Sequence, residues 1–315
     1  MAANKAITKL NIPFQSTGNM WHAIYGHYAD DKEIWADLLS AELTTTINGK
    51  DSQMQGDPKA GRSFLLHTDN RVKGYVNTSV VTEVIDGKLN IMTAFPELTL
   101  NETIRAKLLE VCEYDSGFEA RLTLLVNAPN FIPEELRLLW VFDTRYLINK
   151  EKYCIGKHYD FHIGALVTNI IHRPENELEL EMNNELKEAF KKKFKEMGEN
   201  VFDIDDAKIH TGEAFSYRPK YDDNPEVFSL RAQFSGLLGK ELHYPLLPKK
   251  QVSYIFHATF LHDGIKSGQL YSLPAYMTDI VISDTNKHLG KKDLPLQFAE
   301  GDPVNIQGVL QGYLA

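Results

Sequence analysis

The sequence predicts an α+β protein, mainly antiparallel β-rich sheets with three or four helices packed on one side. Three observations carry that expectation. Residues 80–95 hold two alternating runs joined by Asp86-Gly87, capped apolar segments recur at helical spacing, and the last part of the chain alternates short β-branched runs with turn residues.

Residues 10–29 contain no Asp, Glu, Lys or Arg but include Phe14, Met20, Trp21, Ile24 and Tyr25. Such an arm is expected to lie against a surface, because polar termini fray and apolar ones do not stay in water. Asp30 and Glu33 form a capping-box pair ahead of Ile34, Trp35, Leu38 and Leu39, one apolar helical face. Residues 47–62, with three glycines and a proline, read as a loop. In the hairpin over 80–95, Asp86 and Gly87 supply the positive-φ pair of a two-residue turn. Thr99 and Glu102 form a second capping pair before Ile104, Leu108 and Val111, which predicts a short amphipathic helix.

Residues 121–128 read as a strand, Pro133 as the first position of a short helix over 134–139, and residues 139–172 as two or three strands. The strongest helical signal covers 178–197. Leu186, Phe190, Phe194 and Met197 share a face, acidic residues load the start, lysines load the end, and Gly198 follows as a stop. Beyond it, residues 251–264, 269–284 and 302–315 predict short strands and turns. The long helix is the expected seam between an N-terminal α+β region, 1–174, and a β-rich C-terminal region, 175–315, and a single domain fits the same pattern.

A chain of 315 residues, 43% hydrophobic and 24% charged, buries a core without covalent staples. Its net charge of −9, from 34 basic and 43 acidic residues, disfavours a nucleic-acid-coating role and leaves room for a local basic groove. The two cysteines, Cys112 and Cys154, stand far apart, which excludes a disulfide framework and a cysteine-rich zinc site and suits a reducing compartment. The opening residues lack the apolar run of a signal peptide, and no stretch reaches the ~18 apolar residues of a membrane span. The expected location is cytoplasmic, with no membrane partner.

KHYDFHIG, residues 157–164, raises the sharpest chemical question. Tyr159, Phe161 and Ile163 alternate with His158, Asp160 and His162, so a strand is the better assignment. On a strand, histidines four apart stand roughly 13 Å from each other and cannot share one ion. His158 and Asp160 remain adjacent ligands for a divalent metal, with His257 or His262 completing a two-histidine, one-carboxylate set. The bland alternative is a strand whose polar face meets water. His22 and His27, five apart, match neither one helix face nor one strand face and read as packing residues.

Asp206-Ala207-Lys208 has the acid-x-lysine form of a nuclease site but lacks a marked acidic partner. Lys191, Lys192, Lys193 and Lys195 make a basic helix face that would meet phosphate in a nucleic-acid binder, although a solvated helix end explains them equally. No P-loop, GxGxxG, GxSxG or HExxH pattern occurs, and no catalytic residue is assigned.

Residues 303–315 carry no charge and include Val304, Ile306, Leu310, Tyr313 and Leu314. With Phe14 and Trp21 they make both regions near the ends apolar, and burial of each large side chain stabilises by roughly 1.5–3 kcal/mol. The leading functional expectation is therefore a non-catalytic structural or interaction protein, self-associating or joining a protein partner through these arms. A metal-dependent enzyme and a nucleic-acid binder are the alternatives.

Overall fold

The structure, a computed structural model, describes residues 7–10, 16–30, 40, 43–44, 46–47, 52–57, 62–68, 75–114, 116–126, 138–172, 179–181, 188, 208–210, 227–242, 251–261, 269–288 and 301–315. Chain order runs β1 (Ile7–Leu10), α1 (Ser16–Tyr25), a 3-10 turn at Gly26–Ala29, β2 (Ser52–Asp57), β3 (Arg62–Thr68), β4 (Val76–Ile85), β5 (Lys88–Leu98), β6 (Ile104–Tyr114), β7 (Ala120–Val126) and β8 (Leu138–Asp143). It continues through α2 (Tyr146–Asn149), β9 (His158–His172), β10 (Glu179–Glu181), β11 (Lys208–His210), β12 (Val227–Leu242), β13 (Gln251–Leu261), β14 (Gln269–Thr278), α3 (Asp279–His288) and β15 (Pro303–Leu314).

The expected α+β layering, with three or four helices on one side, is overturned. Among the described residues the α-helices α1, α2 and α3 are short, and large mixed sheets dominate. Local chemistry explains the largest misreading. Ile104–Val111 looks helical because Leu108 and Val111 are three apart, yet both face the core from strand β6. A β-bulge between Leu108 and Glu110 inserts one residue, which turns a period of two into an apparent helical spacing. Residues 279–284, read as strand and turn, open a helix, Asp279–His288, whose first residue also ties down β13, Asp279 Oδ1 accepting the Val252 N–H at 3.1 Å. The strong helical signal at 178–197 starts instead with β10, paired antiparallel to β11, and residue 188, the one residue of the remainder that is described, is helical. The residues of the expected helix after Asp30 and residues 134–137 of the one expected over 134–139 lie outside the described residues, and Leu138 and Leu139, the end of the latter, open strand β8 instead.

Where turn chemistry was explicit, the chain follows it. Asp86 (φ 51°) and Gly87 (φ 72°) make the two-residue turn between β4 and β5, with Ile85 paired to Lys88. This hairpin belongs to a four-stranded sheet, order β2-β3-β4-β5.

The nine-stranded sheet closes on itself twice around one ribbon. β9 and β15 pair antiparallel from Phe161↔Leu314 to His172↔Val304. The other edge of β9 is taken by β6 at His158–Phe161 and by β14 at Ala165–Leu166. The other edge of β15 is taken by β12 over Pro303–Val309 and by β8 at Gln311–Gly312. One ring is therefore β6-β7-β8-β15-β9, with β8 and β15 parallel, and the second is β9-β15-β12-β13-β14. Strands from both sides of residue 174 share this sheet. Leu122, Leu124, Val141, Ile163, Phe256 and Leu273 belong to one apolar cluster, fed by strands of both rings. A second cluster joins α1 and the four-stranded sheet to the outside of the first ring, with Phe95 edge-on to Phe142 at 5.3 Å.

Two glycines let the central ribbon close. A Cβ at Gly308 would lie 2.1 Å from the Leu166 carbonyl oxygen, and one at Gly312 would lie 2.2 Å from that of His162. Backbone atoms cannot rotate away as a side chain can, so any larger residue pushes the strands apart. Gly312→Ala is expected to destabilise the protein by about 1–3 kcal/mol, read as a lower denaturation midpoint with an unchanged denaturant slope. An unaltered midpoint would show that the ribbon tolerates the extra carbon.

Candidate functional site

Strand β9 decides the fate of the histidine trio. Phe161 and Ile163 point into the core, which sends His158, Asp160 and His162 to the outer face. Asp160 lies opposite Arg105 and accepts from its Nη1 at 3.0 Å. His162 donates from Nδ1 to the Glu102 carbonyl at 2.8 Å, and its ring sits 4.9 Å from that of Tyr313. His257 Nε2 meets the Glu102 carboxylate at 3.2 Å. Asp160 and His257 thus have different partners, Arg105 and Glu102, and among the described residues no three His, Cys, Asp or Glu side chains gather to hold a metal. His262 lies outside the described residues, as do Lys191, Lys192, Lys193, Lys195 and Phe14. Lys208 opens β11 opposite Glu181, and Asp206 is not described.

Among the described residues, the apolar side chains near both ends are covered by the chain itself. Trp21 is 2% exposed and donates from Nε1 to the Ala94 carbonyl at 3.3 Å. Val304, Ile306, Leu310 and Tyr313 are buried, and Leu314 packs on the core from its edge. Burial of these residues consequently gives no argument for a docking partner.

Tyr313 also covers a buried polar network. Arg145 lies over its ring at 3.8 Å and donates from Nη2 to Glu97 Oε1 at 2.7 Å. Asp143 accepts the Arg145 N–H at 2.9 Å and the Tyr153 hydroxyl. Burial raises Asp143 to about 7 despite those donors, because the charged form has left water. Glu119, buried where the β6–β7 turn meets Thr93 of β5, rises for the same reason to about 8.

The outer face of the first ring is where exposed chemistry collects. The alternation that buries Ala106, Leu108, Leu122, Leu124, Leu139 and Val141 turns the intervening residues outward. Register then builds rows across four strands. His158, Lys107, Leu125 and Leu138 stand side by side, and Glu110, Thr123 and Trp140 form the next row. Arg105 and Asp160 flank the first. Thr123 donates to Glu110 Oε2 at 3.2 Å, and the buried Arg121 guanidinium supports the Trp140 ring at 4.9 Å. Lys107, Leu125, Leu138 and Trp140 are half-buried, whereas Arg105, Lys157 and His158 are exposed. The face therefore offers one indole, two leucines, and cations set among the carboxylates of Asp160 and Glu110. Sequence reasoning caught its edge in KHYDFHIG but missed Trp140 and Lys107, since their place on one face depends on the register of β6, β7 and β8.

Comparison with known protein families, curated proteins and solved structures finds no match for this chain.

The raised carboxyls give a stability slope with a definite sign. Unfolded, both ionise near about 4; folded, they do so near 7 and 8. Between those limits the folded state holds more protons, so their contribution is complete below about 4 and declines as pH rises to about 8. Thermal melts should accordingly show a lower Tm at pH 8.5 than at pH 5.5, and Glu119→Gln should flatten the difference. A Tm that climbs across this range would contradict the assignment.

Proposed function

We propose that this chain binds single-stranded nucleic acid along the outer face of its first barrel. The reading rests on strand order. Numbered along the chain, the ring β6, β7, β8, β15, β9 runs first, second, third, fifth, fourth and back to first, with third and fifth parallel. That is the topology of the oligonucleotide- and oligosaccharide-binding barrel, whose second and third strands carry the ligand face.

A fold alone does not set a function, so the side chains on that face must supply the chemistry. Here the second and third strands present Trp140 beside Leu125 and Leu138, a surface on which bases stack. Lys107, Arg105, Lys157 and His158 line one side and would follow a phosphate backbone. A net charge of −9 opposes long-range attraction, so binding is short-ranged and salt-sensitive. An oligosaccharide would use the indole but gain nothing from the cations, which favours nucleic acid. The large apolar side chains still exposed among the described residues, Ile85, Leu89, Ile91 and Met92, lie at the β4–β5 hairpin, on the other sheet.

Fluorescence anisotropy with single-stranded DNA and RNA oligonucleotides at low salt tests the reading. Binding is expected, with a steep loss as salt rises. Trp140→Ala should weaken it about tenfold to a hundredfold, and the surface change Lys107→Glu should weaken it without altering the melt. No binding at low salt, or tighter binding of neutral oligosaccharides insensitive to Lys107→Glu, would overturn it.

A further inference from the structure

A second concave site lies away from the barrel face, where α1, the 3-10 turn, α3, β9 and β15 meet. It is a cleft of about 540 Å³, within the range of small-molecule sites. His22, His27, Asp30, Asn169, Asp284 and Gln307 line it, with Val281 the one aliphatic side chain of the lining.

The cleft is built around two imidazole–carboxylate pairs. His22 Nε2 meets Asp30 Oδ1 at 2.9 Å. His27 Nδ1 meets Asp284 Oδ1 at 2.8 Å, and Asp284 Oδ2 also accepts the His27 backbone N–H at 2.8 Å. Gly26 permits that grip. At φ +53° it brings the turn so close to α3 that a Cβ there would lie 2.4 Å from Ile280 Cγ2 and 2.5 Å from Asp284 Oδ2. A carboxylate only accepts, so Nδ1 of His27 carries the proton and Nε2 of the neutral ring is an acceptor. The His27 side chain is 48% exposed.

We infer that this cleft binds a small, hydroxyl-rich molecule without negative charge, a sugar or polyol, whose hydroxyl donates to His27 Nε2. Charge and donor pattern select that class. With both imidazoles protonated the two pairs sum to zero, and with both neutral they sum to two negative charges, so an anion is never attracted. A metal lacks a gathered ligand set among the described residues. Asn169 Oδ1 already accepts from Thr285 at 2.8 Å, which turns its amide donors to other partners, and Gln307 adds an exposed amide on β15. Amides beside paired carboxylates match hydroxyls, which donate and accept together. The inference is independent of nucleic-acid binding, since no residue of the barrel face lines the cleft.

Protein labelled with ¹³C-histidine, titrated with D-ribose, D-glucose and inorganic phosphate, tests it. At least one sugar is expected to shift the His27 ring signal saturably in the millimolar range, while phosphate does not. Gln307→Ala, at an exposed strand position, should weaken that binding about fivefold to tenfold, as loss of one hydrogen bond implies. Asp284→Asn should weaken it further by releasing the ring. A lack of saturable shift with either sugar, or an equal shift with phosphate, would overturn the inference; Lys107→Glu should leave the sugar titration unchanged.

Discussion

The pairing of β9 with β15 is the constraint on which the rest of the fold depends. Each strand is long enough to serve two rings in succession, changing its second neighbour midway. Closing a sheet removes exposed edges that would recruit other chains. Here both closures draw on the final residues of the chain, so neither barrel exists without them. The glycines at 308 and 312 are the local condition for that closure, because the facing carbonyls leave no room for a side chain.

Polar groups buried beside the ribbon fix how the four-stranded sheet docks. Gln311 accepts the Leu98 N–H at 2.6 Å and donates to the Pro96 carbonyl at 2.9 Å, tying the end of β5 to β15. Glu97, in the same stretch, holds Arg145 beyond β8. Such contacts add little net stability, since each replaces contacts with water, yet each penalises other dockings by leaving a buried group unmatched. Apolar packing supplies the bulk of the free energy, and the network selects the arrangement.

What could be read from the sequence divides along the range of the interaction. Asp86-Gly87 announces its hairpin because the positive-φ requirement is local. The strand at β7 and the strand character of KHYDFHIG follow from alternation. Ile104–Val111 deceived because a bulge mimics helical spacing, and Asp279–His288 because its β-branched residues suit strands. Apolarity near the ends was legible as a demand for burial, but where Trp21 and Tyr313 would find it was not, since a single sequence does not say which chain supplies the cover. The site was less legible still. Trp140 and Lys107 come onto one face only through strand register, and His27 meets Asp284 across 257 positions of chain.

The face proposed for nucleic acid and the polar cleft both hang on the shared ribbon, which positions β8 against one ring and carries Gln307 into the other site. Amide hydrogen exchange of the intact protein measures that dependence most directly. If the ribbon is the common constraint, amides of 161–170 and 304–314 exchange together, among the slowest in the molecule, at the free energy of global unfolding. Fast, independent exchange over 304–314 while β6 and β7 stay protected would mean that the barrel stands without its last strand, and the account would fail.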